Sequence, residues 1–218
     1  MQHTLVYGHR GARAVLPENS IAGFTYAIEI GVDGIEMDVA LAGDGEVVLS
    51  HDPLPEGRGT GLPTLDSVLR LAAGNQVLFI IEIKSYPEHP NAAPPPILSK
   101  LVLDLIRKHH LEPRVIVQSF DFRVLSEMKK LAPEIRLAAL WEGVARNFVE
   151  IAREAGAYLI APQYKLVTPE EVQAAHAHGI QVIPWTVNQP HDWDRLIRAR
   201  VDAIITDDPA ALLRYRNN

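Results

Sequence analysis

A (β/α)8 barrel, the TIM-barrel architecture, is the fold this sequence predicts, and three observations predict it. Short runs rich in Val and Ile alternate with helix-period segments along all 218 residues. The alternation counts to eight strand–helix units, and strict alternation calls for a parallel sheet with helical crossovers. Polar residues interrupt the apolar runs near the carboxyl ends of the expected strands, where such a barrel keeps its active site. An open doubly wound sheet is the alternative. No Gly-rich dinucleotide fingerprint follows the first strand to support it.

The expected strands are Thr4–His9, Gly34–Leu41, Val77–Lys84, Arg114–Phe120, Arg136–Trp141, Ala157–Ala161, Gln181–Val187 and Ala203–Thr206. Between and after them fall helical patterns at Ser20–Ile30, Leu65–Ala73, Pro95–His109 and Phe122–Leu131. Four more follow, at Phe148–Ala155, Pro169–His178, His191–Ala199 and Ala210–Arg216. Asn19 and Thr168 suit N-caps, and Gly31, Gly74, Gly156 and Gly179 stand where C-caps belong. The Pro-rich stretch from Tyr86 to Pro96 reads as an extended loop at the rim. With no repeat, linker or low-complexity tract, residues 1–218 suit one domain.

One unit departs from the pattern. After Leu41, Ala42-Gly43-Asp44-Gly45 leads into a second β-like run ending at His51. Asp-Gly between β runs signals a hairpin. With Asp44 and Gly45 as a two-residue turn, Gly43 faces Glu46 and Asp38 faces His51. A three-residue loop would slip the register by one and undo that pairing.

The composition excludes several classes. A net charge of −6 and the lack of a basic run argue against a nucleic-acid surface. Zero cysteines exclude disulfides, thiolate metal sites and a cysteine nucleophile, and suit the cytoplasm. No signal peptide is visible at the N-terminus, and no apolar run is long enough to span a bilayer. The expectation is a soluble intracellular domain, placed in the cytoplasm.

Glu36 and Asp38 are the central clue. Both lie inside the apolar run Gly34–Leu41, where a buried acid is costly unless neutralised. Positions i and i+2 of a strand share a face, so the two carboxylates together invite a divalent cation. Glu82 and Lys84 repeat the spacing on the next barrel strand, and His9 and Arg10 end the first. Each also has a simpler explanation. Glu82 with Lys84 makes a buried ion pair, His9 a strand terminus, His51 a loop residue, Asn19 a helix cap and Trp185 ordinary core. His3, His89, His109, His110, His176, His178 and His191 lack converging partners. Three acids, two histidines and two cations at one end of adjacent strands resist seven independent explanations.

His9-Arg10-Gly11, Pro17-Glu18-Asn19-Ser20, Gly34 to Val39 and His51-Asp52 together resemble the signature of the glycerophosphodiester phosphodiesterase family. The similarity continues in Ile81 to Lys84, Gln118-Ser119-Phe120, Trp185 to Asn188 and Thr206 to Pro209. The resemblance implies a barrel enzyme that hydrolyses glycerophosphodiesters to sn-glycerol 3-phosphate and an alcohol with a divalent cation. It implies His9 and His51 as the catalytic pair and Glu36, Asp38 and Glu82 as metal ligands. It further implies Arg10, Lys84, Gln118 and Trp185 as substrate contacts. One departure stands out: the family often carries a longer insertion after His-Asp, whereas Pro53–Pro63 is short and Gly-rich.

Three carboxylates without a thiolate favour a hard cation, Mg2+ or Ca2+. Histidine, with an unperturbed pKa of about 6.5, suits both proton transfers of phosphodiester cleavage. Two competing readings share the fold. One is a lysophospholipase D-like or cyclic-phosphate-forming enzyme, the other a non-catalytic phosphodiester binder.

Overall fold

The structure is a computed structural model that describes residues 3–55, 59, 61–85 and 91–217. Its strands are β1 (Leu5–Gly8), β2 (Gly34–Leu41), β3 (Val47–Leu49), β4 (Leu78–Ile83) and β5 (Val115–Ser119). They continue with β6 (Arg136–Trp141), β7 (Leu159–Pro162), β8 (Gln181–Val182) and β9 (Ala203–Thr206). All but β3 run parallel, in the order β8-β7-β6-β5-β4-β2-β1-β9. Backbone bonds then cross the remaining seam: Asp202 N–H donates to Val182 O at 3.0 Å, Ile205 N–H to Pro184 O at 3.0 Å and Val187 N–H to Ile205 O at 2.9 Å. The sheet thereby comes back on itself as the expected barrel.

The seventh barrel strand is shorter than the expected Gln181–Val187. Pro184 has no N–H to give, so the regular ladder stops at Val182. The chain nevertheless stays extended enough for Trp185 to bridge Gln163.

Alternation along each strand divides the apolar residues into two cores. Outward-facing side chains such as Ile35, Met37, Phe79 and Ile81 pack beneath the helices. Inward-facing Tyr7, Ile80, Ile116, Leu159 and Ile205 fill the barrel. Gly34 belongs to this inner set. A Cβ there would meet Tyr7 Cδ1 at 2.7 Å and Ile80 Cδ1 at 2.8 Å.

The helices are α1 (Ile21–Glu29), α2 (Leu65–Leu69), α3 (Pro95–Lys108), α4 (Phe122–Leu131), α5 (Phe148–Ala155), α6 (Pro169–Ala177), α7 (Pro190–Arg198) and α8 (Pro209–Asn217). None of them is long and apolar enough to cross a membrane. Thr168 caps α6 as expected, its hydroxyl accepting from Glu171 N–H. Asn19 does not cap α1; Ser20 does, accepting from Gly23 N–H. That correction frees Asn19 for the site described below.

The hairpin register also differs from expectation. Val39 pairs with Leu49, Ala40 with Val48 and Leu41 with Val47, and Ser50 N–H donates to Asp38 O at 3.1 Å. Asp38 therefore faces Ser50, not His51. The loop has three residues, Gly43-Asp44-Gly45, closed by Ala42 N–H to Glu46 O at 2.9 Å. Gly45 takes φ +88°, the left-handed position that ends a three-residue hairpin loop. The expected loop at 86–96 gives way to α3 at Pro95, and its residues 86–90 lie outside the described residues. The shortened connection Pro53–Pro63 falls there in part, at 56–58 and 60.

Candidate active site

A cavity of about 370 Å³ opens at the carboxyl ends of the strands. His9, Arg10, Glu36, His51, Glu82, Lys84, Gln118 and Trp185 line it, and Asp38 lies buried beside them. Every residue singled out in the sequence is thus brought to one end of one barrel.

The site is built upward from β2. Glu36 and Asp38 project inward above Gly34, and Asp38 is in register with Glu82 on β4. Glu36, Asp38 and Glu82 are all buried, with one carboxylate oxygen from each within 4.8 Å of the others. Glu36 Oε2 accepts from the Arg10 backbone N–H at 3.0 Å and Oε1 from Gln118 Nε2 at 3.2 Å. Lys84 Nζ stands 2.6 Å from Glu82 Oε1 and 3.1 Å from Asp38 Oδ1. Arg10 Nε is 3.0 Å from Asp38 Oδ2. The Glu82–Lys84 ion pair anticipated from spacing exists, but as one edge of a larger cluster.

Asn19 completes that cluster and was missed in the sequence. Its Nδ2 donates to Asp38 Oδ2 at 2.9 Å, and its Oδ1 accepts from Asp38 N–H at 3.3 Å. Both Asn19 (φ +52°) and Arg10 (φ +49°) are left-handed, a conformation costing about 1–3 kcal/mol outside glycine. Asn19 N–H donates to Arg10 O at 3.1 Å, so the two strained residues hold each other. The Pro-Glu-Asn-Ser block was visible in the sequence, but helix capping explained its Asn equally well.

Electrostatics show which charges are in excess. Burial first, then the charges of Asp38 and Glu82, push the Glu36 carboxyl well above the carboxylate range. Burial, reinforced by Asp38 and opposed by Lys84, pushes Glu82 up to about 7. Burial acts on Asp38 too, but Lys84, Arg10 and the Asn19 hydrogen bond outweigh it and hold that carboxyl low. Two cations do not keep all three carboxylates ionised, and a divalent ion among them would do so. An all-oxygen donor set of this kind fits a hard cation. The residues present therefore suit the metal that the sequence led us to expect.

The histidines arrive by different routes. His9 leaves β1 with its Nδ1 2.6 Å from Asp207 Oδ1 and its Nε2 4.0 Å from Glu36 Oε2. A carboxylate only accepts, so Nδ1 carries the proton and Nε2 faces the cavity. Asp207 is itself held by Asn188, whose Nδ2 donates to its Oδ2 at 2.7 Å. Asn188 Oδ1 accepts from Asp207 N–H at 2.9 Å and the Thr206 hydroxyl at 3.1 Å. Asp207 and Asn188 stood out only as polar strand ends, because the bond from Asp207 to His9 spans 198 residues. His51 reaches the cavity by leaving the β3 ladder, and its Nδ1 contacts Asp52 Oδ1 at 2.8 Å. Burial and then Lys84 lower its pKa, favouring the neutral ring.

Four histidines outside the site have local partners: His109 pairs with Asp66 at 2.9 Å, His176 with Asp202 at 2.9 Å and His191 with Asp192 at 3.2 Å, while His178 Nδ1 donates to Ala174 O at 2.9 Å. None of them lines this cavity.

Opposite the charged cluster the cavity wall is apolar. Phe120 and Trp185 meet edge to face, with centroids 5.5 Å apart and planes at 86°. Trp185 donates its indole N–H to Ala161 O at 2.7 Å.

Paired histidines beside carboxylates and cations at the catalytic end of a (β/α)8 barrel define a class, the barrel phosphodiesterases. Comparison with known proteins narrows it. The sequence model of the glycerophosphoryl diester phosphodiesterase family matches residues 9–57 and 53–211. A glycerophosphodiester phosphodiesterase of Caldanaerobacter subterraneus subsp. tengcongensis is 33% identical over 243 residues, covering 96% of each chain. A crystal structure of a putative glycerophosphoryl diester phosphodiesterase from Silicibacter pomeroyi superposes with TM-score 0.89 at 29% identity, over 99% of this chain and 94% of that one. An Oleispira antarctica phosphodiesterase in complex with the product sn-glycerol-3-phosphate superposes with TM-score 0.86 at 20% identity, over 99% and 98%. At that identity the last shares the fold. The chain belongs to the glycerophosphoryl diester phosphodiesterase family. It is a phosphodiesterase, and glycerophosphodiesters are its substrate class.

Proposed function

We propose that the chain is a metal-dependent hydrolase releasing sn-glycerol 3-phosphate and an alcohol, with His9 and His51 as its acid–base pair. The observation that carries this reading is the convergence of both histidines on the cavity bordered by Glu36, Asp38 and Glu82. Those three carboxylates would hold Mg2+ or Ca2+. Bound there, the ion supplies Lewis-acid polarisation of a phosphoryl oxygen and compensates its charge.

The remaining chemistry belongs to the side chains. The phosphate enters between Arg10 and Lys84, whose charges match the anionic transition state. Asp207 holds the His9 ring with Nε2 toward the cavity, ready to take or give a proton there. Asp52 contacts His51 Nδ1 at 2.8 Å, at the solvent edge. One ring removes the proton from the attacking oxygen while the other protonates the departing alkoxide. Gln118 holds Glu36 in place, and Trp185 closes the opposite wall against water.

The test is an assay over a panel of glycerophosphodiesters, with sn-glycerol 3-phosphate measured and products followed by 31P NMR. Activity is expected to vanish in EDTA and return with Mg2+ or Ca2+; full activity in EDTA overturns metal dependence. His9→Ala and His51→Ala each are expected to lower turnover roughly 10²–10⁴-fold. Near-wild-type rates in either overturn the acid–base assignment. A cyclic phosphate as final product overturns the assignment as a hydrolase.

A further inference from the structure

The cavity has two unlike halves, and the phosphate chemistry uses only one. On the β1, β2 and β4 side stand the charged residues of the mechanism. On the β5, β6 and β8 side the lining is Phe120, Leu140 and Trp185 with the polar, uncharged Gln118 and Thr186 beside them, and a single acid, Glu142, stands at the rim. Glu142 directly follows β6, whose Trp141 pairs with Pro162 on β7. Gln163, the residue after β7, bridges Trp185. Glu142 and Trp185 thus belong to one row across the mouth.

The row is rigid. Trp185 has its only N–H committed to Ala161 O at 2.7 Å, so it offers the cavity ring surface without a hydrogen-bond donor. Phe120 braces it edge to face. The loop carrying Glu142 is tied back by Trp141 Nε1 donating to Val144 O at 2.8 Å, and Arg146 lies over the Trp141 ring at 4.9 Å. The arginine nearest in sequence is thereby engaged with Trp141 and, at 2.8 Å, with Glu154. Arg13, also in the lining, is paired with Glu18 at 2.7 Å. Glu142 has no hydrogen-bond or ion-pair partner among the described residues.

An aromatic wall with a free carboxylate at its edge matches one ligand chemistry, a cation bearing apolar substituents. We propose that Glu142, with the Trp185 and Phe120 rings, forms a headgroup subsite selecting glycerophosphodiesters whose alcohol carries an ammonium or quaternary ammonium group. This rests on the phosphodiesterase reading above and adds which alcohols are preferred. The phosphate on the basic half and the ammonium on the acidic half would orient the diester across the mouth. A neutral alcohol gains apolar contact only.

The experiment compares kcat/KM for glycerophosphocholine, glycerophosphoethanolamine and the diester of two glycerols, in the wild type, Glu142→Gln and Glu142→Lys. Wild type is expected to favour the choline diester over the glycerol diester about tenfold, the scale of a cation on an aromatic face beside a carboxylate. Glu142→Gln, isosteric and at the exposed rim, is expected to collapse the ratio toward one through KM. Glu142→Lys is expected to invert it. Equal kcat/KM for all three diesters in the wild type overturns the subsite alone. So does a ratio unchanged by Glu142→Gln, which would put the glycerol arm of every substrate against this wall. Absence of hydrolysis on every diester overturns the phosphodiesterase reading and the subsite with it.

Discussion

At the scale of single residues, Asn19 shows how strain and chemistry are joined. It adopts a backbone conformation that costs energy, and it spends both ends of its amide on Asp38. A partner that orients a metal ligand typically changes affinity or activity 10–100-fold. Asn19→Ala is therefore expected to weaken Mg2+ or Ca2+ binding by roughly 10–100-fold. Calorimetric titration of the purified protein reads that directly, without reference to turnover. Unchanged affinity would reduce Asn19 to a loop residue. Asp207 acts on the other flank, fixing which nitrogen of His9 faces the cavity. Asp207 escaped the sequence because its bond to His9 spans 198 residues, and Asn19 because a helix cap explained it equally well.

Among elements, the β2–β3 hairpin delivers His51 to the mouth, though not as expected. The left-handed Gly45 makes a three-residue loop, which sets Ser50 opposite Asp38. His51 reaches the cavity because the chain turns off the ladder after Leu49. The two loop lengths differ by one residue, and Asp-Gly is compatible with both. Elsewhere, α2 is tied to α3 by Asp66, which accepts from Lys108 at 2.6 Å, Arg70 at 2.7 Å and His109 at 2.9 Å. The hydrogen bond from Lys108, followed by those from Arg70 and His109, holds the Asp66 carboxyl well below its ordinary range. A depressed carboxylate stabilises the fold above its unfolded pKa of about 3.9, and that contribution is lost as pH falls through the lower folded value. Solvent screening keeps it to about 1 kcal/mol. Urea midpoints of the wild type and Asp66→Asn are expected to differ at pH 5 to 8 and to converge toward pH 2. A gap that widens on acidification would reverse the sign of this assignment.

For the whole molecule, closure of the barrel decides where the site can be. β1 pairs with β2 on one side and β9 on the other, so residues near both ends of the sequence share one sheet. We propose on that basis that residues 1–218 act as one domain; limited proteolysis yielding two separately stable halves would contradict it. Closure also leaves little room inside. Gly34→Ala puts a methyl group against Tyr7 and Ile80 directly below the acidic cluster. Overpacking of this kind costs about 1–3 kcal/mol. Thermal unfolding of Gly34→Ala is expected to show that loss, and an unchanged midpoint would mean the inner core can yield.

What the sequence determined by itself is local and periodic. Strand and helix patterning set eight units, and spacing of two set Glu36 with Asp38 and Glu82 with Lys84 on single faces, because a strand alternates whatever surrounds it. The same residues carried enough signature to indicate the family before any coordinates. Tertiary structure alone decided the hairpin register, the pairing of His9 with Asp207, the clasp of Asn19 on Asp38 and the row joining Glu142 to Trp185. The last three depend on where the folded barrel brings separate segments together, while the register turns on a single residue of loop length. Hydrogen bonds and ion pairs act over a few ångströms of space, and separation along the chain does not measure that distance.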